Sequence, residues 1–135
     1  MPTYRLGNDL DLDAVLACYR ACSLGGRRPI DDRARMATML AHANLVISAW
    51  SGTELVGIAR ALTDGVYCTY LSDLAVDDRH QRSGIGRELI RRCREHAPQA
   101  TLILLSAPQA VDYYPRIGFT RHDSAWMIKP GDPLV

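Results

Sequence analysis

The chain contains no apolar run that approaches the ~20 residues a membrane-spanning helix needs. It also has no Cys-x-x-Cys pair, because its cysteines are scattered through apolar patterns at Cys18, Cys22, Cys68 and Cys93. No secretory-type apolar stretch follows Met1. We therefore expect no membrane partner, no bound metal, and a cytoplasmic protein whose thiols are reduced and buried.

A strong charge of either sign is missing too. The formal net charge is only +1 over 135 residues, so no global field directs the chain to nucleic acid, and we expect no nucleic-acid partner. The length suffices for one domain with a core, and neither repeats nor a linker divide it. We predict a single domain over residues 1–135 and leave a homodimer open.

Apolar periodicity and turn residues predict a mixed α/β chain. The expected strands are 3–6, 45–50, 55–63, 67–76 and 101–105, with a closing pair at 119–122 and 125–129. The expected helices are 11–22, 31–42, 84–97 and 108–117. Asp11 caps the first helix and Asp31 or Asp32 the second. The strand 67–76 is apolar at most positions, so we expect it to be central, and 101–105 to be short and buried.

The polar loop that follows the strand 67–76 is the most informative stretch. Residues 81–87 read Gln-Arg-Ser-Gly-Ile-Gly-Arg and turn directly into a helix. Glycines at a helix start let the backbone approach a ligand, and the free N–H groups there bind anions with help from the helix dipole. Arg79, Arg82 and Arg87 add positive charge. The stretch therefore predicts a pyrophosphate-binding site.

Two common phosphate-binding motifs do not fit this loop. A P-loop has a Lys directly after its second glycine, and no Lys follows Gly84 or Gly86. A dinucleotide fingerprint has a third glycine, where this chain has Leu89, and it belongs to an early βαβ unit. The pyrophosphate grip is therefore of another kind.

The loop resembles the acyl-CoA loop of the GNAT superfamily, the Gcn5-related N-acetyltransferases, whose signature is Gln/Arg-x-x-Gly-x-Gly/Ala after a hydrophobic strand. A second segment, residues 110–119, is similar to the family's later motif Ala-x-x-aromatic-Tyr-x-x-x-Gly-Phe. Order and spacing agree, and the resemblance extends from Thr3 to Lys129. It implies the GNAT-like acyl-CoA N-acyltransferase fold, a central mixed and mostly antiparallel sheet flanked by helices.

The resemblance also implies an acetyl-CoA-dependent N-acetyltransferase. In the family, the strand before the loop splays from its neighbour, and the pantetheine arm pairs with its free backbone groups, with the N–H at the position of Leu74 facing the thioester carbonyl. The cofactor-binding residues implied for this chain are Leu74, Ala75, Val76, Gln81, Arg82, Ser83, Gly84, Ile85, Gly86 and Arg87.

Two side chains are candidates for the catalytic roles. The resemblance implies that Tyr114 protonates the CoA sulfur, since a phenol of pKa ~10 carries its proton at neutral pH; a core tyrosine beside Tyr113 is the alternative. Histone-type relatives have a Glu that acts as the general base where this chain has Tyr70. Asp73 is the only carboxylate inside the strand. Three roles are open to Asp73: general base, binder of a cationic substrate, or partner of a structural arginine.

The acceptor we expect is a primary amine on a small molecule or peptide, which attacks the thioester directly in a ternary complex. Residues 24–32 and 124–130 would shape its site. One departure from the family concerns Ala107, where many relatives have an Asn that binds the cofactor arm. Two alternatives remain: an acyl-CoA-binding sensor module without catalysis, and an acetyltransferase of protein lysines or N-termini.

Overall fold

In a computed structural model of the chain, which describes residues 1–135, five strands form one sheet in the order β1-β2-β3-β4-β5. The strands are β1 (Thr3–Leu6), β2 (Leu45–Ser51), β3 (Glu54–Thr63), β4 (Cys68–Val76) and β5 (Thr101–Ile103). The pairs from β1 to β4 are antiparallel and the pair β4–β5 is parallel. The predicted fold class, a mixed and mostly antiparallel sheet with flanking helices, is confirmed.

Four α-helices accompany the sheet: α1 (Leu12–Arg20), α2 (Arg33–His42), α3 (Ile85–His96) and α4 (Tyr113–Arg116). The first two begin as the sequence predicts. The Asp11 carboxylate accepts a hydrogen bond from the Ala14 N–H at 3.1 Å, and the Asp32 carboxylate accepts one from the Arg35 N–H at 3.1 Å. Both aspartates therefore satisfy amide groups that a helix start leaves without partners.

Helices cover both faces of the sheet. Leu16 and Tyr19 of α1 belong to a buried apolar cluster with Ile58 of β3. The neighbouring Gly57 contacts α3, because a Cβ at this position would lie 3.1 Å from the Ile85 side chain. Successive strand residues point to opposite faces, so α1 and α3 pack on opposite sides of β3. The glycine allows α3 to lie close to the sheet.

Strand β5 differs from its prediction. It is shorter than 101–105 and it is not buried: Ile103 is 51% exposed. The reason is its place at the edge of the sheet, where only three residues pair with β4 and no strand pairs with its other side. An apolar run of this length does not by itself distinguish an edge strand from a central one.

Residues 106–135 form a compact unit separate from residues 1–105. The predicted helix 108–117 is interrupted there, as a 3₁₀ turn at Pro108–Ala110 followed by the four-residue α4. Pro115 accounts for the interruption, because it has no N–H to donate to the Val111 carbonyl and its ring would clash with that carbonyl in a continuous helix. The predicted strand pair at 119–122 and 125–129 is also wrong, because neither segment has a strand partner. A lone hairpin is marginal in water.

The cysteines only partly follow their prediction. Cys18 and Cys93 are buried, and burial raises the pKa of both thiols to about 12. Cys22 is half-buried, and Cys68 is exposed at the start of β4, so the expectation of four buried thiols is wrong. No helix has the length and apolar character needed to cross a membrane.

Candidate functional site

The glycine-rich loop ends at an uncapped helix. Gly84 is the N-cap of α3 with a φ of +86°, and no side chain accepts a hydrogen bond from the helix start. The first N–H with an intrahelical acceptor is that of Glu88, which donates to the Gly84 carbonyl at 3.0 Å. The N–H groups of Ile85, Gly86 and Arg87 precede it and have no such acceptor. The arrangement suits an anion.

Side chains of the loop hold its own backbone. The Gln81 Nε2 donates to the Val76 carbonyl at 3.2 Å and to the Asp78 carboxylate at 2.9 Å. The Ser83 hydroxyl donates to the His80 carbonyl. Gln81 and Ser83 thus connect the loop to the end of β4 and to itself. The predicted cofactor-binding residues 81–87 form one structural unit, in which these two side chains brace the loop.

The three arginines of this region differ in their partners. Arg79 pairs with Glu54 at 2.6 Å and with Asp77 at 2.8 Å. The hydrogen bonds from Arg79 hold the pKa of the Asp77 carboxyl below its usual range. Two carboxylates already compensate the Arg79 charge, so the expectation that it adds charge to the phosphate site is not supported. Arg82 and Arg87 are exposed and form no ion pair, so both charges remain available.

Further along α3, Arg91 and Arg92 form ion pairs on the surface of the helix. Glu88 pairs with Arg91 at 2.6 Å and with Arg92 at 2.9 Å, and these bonds lower the pKa of its carboxyl to about 2. Such pairs, three and four residues apart, stabilise an exposed helix modestly. These two arginines are therefore part of a solvated helix face.

Strand β4 has a neighbour on only one side over its second half. Its pairing with β5 ends at Tyr70, whereas its pairing with β3 continues to Val76. Leu74, Ala75 and Val76 lie in this one-sided stretch, directly before the loop. Backbone groups that face an open strand edge can pair with an extended ligand as an added strand would. This one-sided stretch lies where the resemblance implies a splayed strand, and the cofactor-binding role of Leu74, Ala75 and Val76 stays a prediction.

Asp73 is fully buried and bonded on both carboxylate oxygens. Its Oδ2 accepts from the Tyr19 hydroxyl at 2.7 Å and from the Arg60 Nε at 2.6 Å, and its Oδ1 accepts from the Arg28 Nε at 2.6 Å. Burial alone would raise the pKa of this carboxyl, but the hydrogen bonds and charge of Arg60, with those of Tyr19 and Arg28, lower it.

This environment supports one of the three roles that the sequence left open for Asp73. A carboxyl with a lowered pKa is a weak proton acceptor, and its lone pairs are already engaged. The geometry is that of a carboxylate paired with structural arginines. The role of general base stays a prediction, and the burial of Asp73 argues against it.

Sequence reasoning missed the three residues that surround Asp73. Arg60 carried a signal, because it is a charged residue in the apolar strand 55–63, and the hairpin register places it opposite Asp73. Tyr19 lies among the buried apolar residues of α1, and nothing in the sequence indicates a partner for its hydroxyl. Arg28 approaches from a loop 45 residues away, and no local pattern marks such a contact.

Tyr114 lies in the unit 106–135, where its ring forms edge contacts with Tyr113 and Phe119, each with centroids 5.3 Å apart. The Phe119 N–H donates to the Tyr114 carbonyl at 3.0 Å, and Gly118 between them has a φ of +105°. The second motif is thus a compact turn that packs its aromatic residues together. The role of Tyr114 as general acid stays a prediction, and a tyrosine that only packs in this turn remains the alternative.

The structure contains no cluster of three or more His, Cys, Asp or Glu side chains that could hold a metal ion.

Comparison with known proteins places this architecture among acetyltransferases. An uncharacterized N-acetyltransferase, ycf52 of Porphyra purpurea, is 28% identical over 103 residues, which cover 70% of this chain and 57% of that protein. The chain thus spans little more than half the length of this curated relative. A GNAT-family acetyltransferase from Streptococcus pneumoniae TIGR4 is 27% identical, with a TM-score of 0.77 over 96% of this chain and 97% of that one.

A third protein shares the fold at lower identity. The aminoglycoside N-acetyltransferase AAC(6')-Iy, solved in complex with CoA, is 15% identical with a TM-score of 0.72, over 96% of this chain and 94% of that one. The family model described as the acetyltransferase (GNAT) domain matches residues 28–129. Because this match covers most of the chain, the chain belongs to the GNAT acetyltransferase family.

Proposed function

We propose that the chain is an acetyl-CoA-dependent N-acetyltransferase that acetylates a primary amine of a small molecule or peptide. The observation that carries the proposal is the uncapped glycine start of α3 beside the one-sided stretch of β4. The first element suits the pyrophosphate and the second suits the pantetheine arm. The likeness in fold to an enzyme solved with CoA supports the same cofactor.

In this proposal each part of the site meets one demand of acyl transfer. The N–H groups of residues 84–87, with Arg82 and Arg87, hold the phosphates. The arm pairs with Leu74, Ala75 and Val76. The Leu74 N–H stabilises the negative charge that develops on the thioester oxygen, where a preorganised donor has its largest effect.

The reaction proceeds by direct attack. The amine nitrogen bonds to the thioester carbon, the C–S bond breaks, and Tyr114 gives its phenolic proton to the departing sulfur. The nitrogen loses a second proton as the amide forms, and this proton restores the Tyr114 phenol. A free alkylammonium has a pKa of ~10.4 and must lose a proton first. Since Asp73 is buried between arginines, water is the better candidate for the group that takes this proton. The raised pKa of the buried Cys18 and Cys93 thiols makes these two residues poor candidates for the nucleophile of a covalent acyl-enzyme.

Two measurements test the proposal together. Acetyl-CoA at ~100 times its dissociation constant should add about 2.7 kcal/mol to the free energy of unfolding, and an amine panel should release free CoA thiol. Binding without thiol release for any small amine or peptide would favour the sensor module. Release only with protein lysines or N-termini would favour the protein-modifying alternative. No melting shift at millimolar acetyl-CoA would overturn the proposal.

A further inference from the structure

The polar cluster around Asp73 carries an unbalanced charge. It contains two guanidinium groups, of Arg28 and Arg60, and a single carboxylate, and both arginines bond that carboxylate at 2.6 Å. Tyr19 adds no charge, because burial and the neighbouring Asp73 raise the pKa of its phenol. The cluster therefore has a net charge of +1.

Arg60 alone is sufficient to neutralise Asp73. It is the cross-strand partner of Asp73, its side chain is only 10% exposed, and its other donors reach the Met39 carbonyl and the Ser72 hydroxyl. The positive charge of Arg28 is the surplus. Keeping an uncompensated charge in a poorly solvated place is unfavourable unless a counter-charge is supplied.

The Arg28 guanidinium retains free donors. Of its five N–H groups, three are engaged: one by Asp73, one by the Arg27 carbonyl at 2.8 Å, and one by the Ser72 carbonyl at 2.7 Å. Two N–H groups have no partner in the protein, and the side chain is 20% exposed. The group is therefore fixed in place and still able to bind a ligand.

The backbone that carries Arg28 is fixed as well. It follows the 3₁₀ turn Ser23–Arg27, which packs on the end of α1 so closely that a Cβ at Gly25 would lie 2.7 Å from the Tyr19 carbonyl oxygen. The guanidinium thus has little freedom to lose when a ligand binds. A preorganised arginine fork matches the planar geometry of a carboxylate.

Arg28 also lies beside the place where the acetyl group would be transferred. Its contacts on β4, Ser72 and Asp73, directly precede Leu74 in the one-sided stretch of the strand. We propose that Arg28 binds a carboxylate of the acceptor, so that the acceptor is an amine that also carries a carboxylate, such as an amino acid or a short peptide. This inference rests on the proposed function and names its substrate class.

Matched acceptor pairs test the inference. Thiol release from acetyl-CoA is measured with glycine against glycinamide, L-phenylalanine against L-phenylalaninamide, and diglycine against its amide. The wild type should favour each acid over its amide by about 10- to 100-fold in kcat/KM, the range for a hydrogen bond to a charged group. Arg28→Gln should remove this preference by raising KM for the acids only, and Arg28→Lys should restore part of it. Comparison of the free amino acids with diglycine shows whether the carboxylate belongs to an amino acid or to a short peptide.

The control variant is Arg27→Gln, which removes a neighbouring exposed positive charge that has no contact with Asp73. If Arg27→Gln lost the preference for acids over amides to the same extent, the preference would come from the general positive charge of this region. That result would overturn a specific carboxylate site at Arg28. Equal use of acids and amides, release from none of them, or release only from phosphoethanolamine would also overturn the inference. In each of these cases a melting shift with acetyl-CoA would leave the proposed cofactor intact, so the two failures are distinguishable.

Discussion

The Tyr19 hydroxyl and the Asp73 carboxylate share a buried hydrogen bond of 2.7 Å across 54 residues of sequence. The bond joins α1 to β4 within the stretch that pairs with β3 alone, one residue before Leu74. Arg60 and Arg28 bond the same carboxylate from β3 and from the segment after α1. A single buried anion therefore connects four parts of the chain next to the proposed reaction centre.

Asp73→Asn should destabilise the fold. The variant leaves two guanidinium groups without their counter-charge, and breaking a buried ion pair typically costs about 3–5 kcal/mol. Urea unfolding measures the loss, and Asp13→Asn, which removes an exposed ion pair with Arg33, is the matched control. A variant of wild-type stability whose turnover falls and recovers at high pH would instead support Asp73 as the general base.

The contribution of Asp73 to the free energy of unfolding should depend on pH and should be lost at low pH. Its pKa is lowered below the usual 3.8 in the folded state, so the unfolded chain binds the proton more readily. The contribution is complete above about pH 4 and is lost as pH falls through the lower folded-state pKa. The difference in unfolding free energy between wild type and Asp73→Asn should be constant from pH 7 to pH 5 and shrink below pH 4. A difference that grows on acidification would contradict this ion pair.

Helices α1 to α3 and strands β2 to β4 could be predicted because their signals are local. Asp11 and Asp32 identify the starts of α1 and α2, and the glycines of residues 84–86 identify the start of α3, from a few neighbouring residues. The exposure of β5 and the lack of strands after residue 118 depend on which segments pair, and no window of sequence contains that information. The Asp73 cluster depends on contacts 13 to 54 residues apart, which single positions do not reveal.

Gly84→Asp should weaken acetyl-CoA binding. The carboxylate would occupy the positive end of the α3 dipole and repel the phosphates, at a cost of about 10-fold or more in affinity. Gly65→Asp is the matched control, since Gly65 has a nearly identical φ of +85° in a remote turn and equally open space for a Cβ. Melting curves with and without acetyl-CoA measure both variants. Equal ligand shifts in the two would place the phosphates elsewhere.

Arg87→Gln should affect acetyl-CoA binding, whereas Arg79→Gln should affect the stability of the free protein. Arg87 has no ion pair, so its loss should weaken acetyl-CoA binding by about 2- to 10-fold with little change in melting temperature. Arg79 holds Asp77 and Glu54, so its loss should lower the melting temperature of the free protein. Calorimetric titration at two salt concentrations checks the first, because an exposed phosphate contact weakens as salt rises. Identical behaviour of the two variants would contradict their different partners.

Tyr114→Phe should lower kcat by roughly 10²-fold while the KM of the acceptor stays nearly constant, because the lost proton acts only in the transition state. The ring contacts with Tyr113 and Phe119 survive the change, so the aromatic packing of this turn should be retained. Tyr113→Phe, which removes the adjacent hydroxyl, is the control. Steady-state kinetics measure the effect. The absence of a pre-steady-state burst must be shown first, because a burst would mean that product release and not chemistry limits kcat. Unchanged kcat with a lower melting temperature would identify Tyr114 as a packing residue.

Gly57 has a consequence for evolution and engineering of the ligand site. The missing side chain sets the height of α3 above β3, because Ile85, the first residue of the helix, rests 3.1 Å from where a Cβ would be. A larger residue at Gly57 would press on Ile85, Ala49 and Leu89, so these side chains, or the helix end whose amides would hold the phosphates, must shift by a few tenths of an ångström. Affinity for the cofactor can therefore be tuned, or lost, by a buried position that the cofactor never touches.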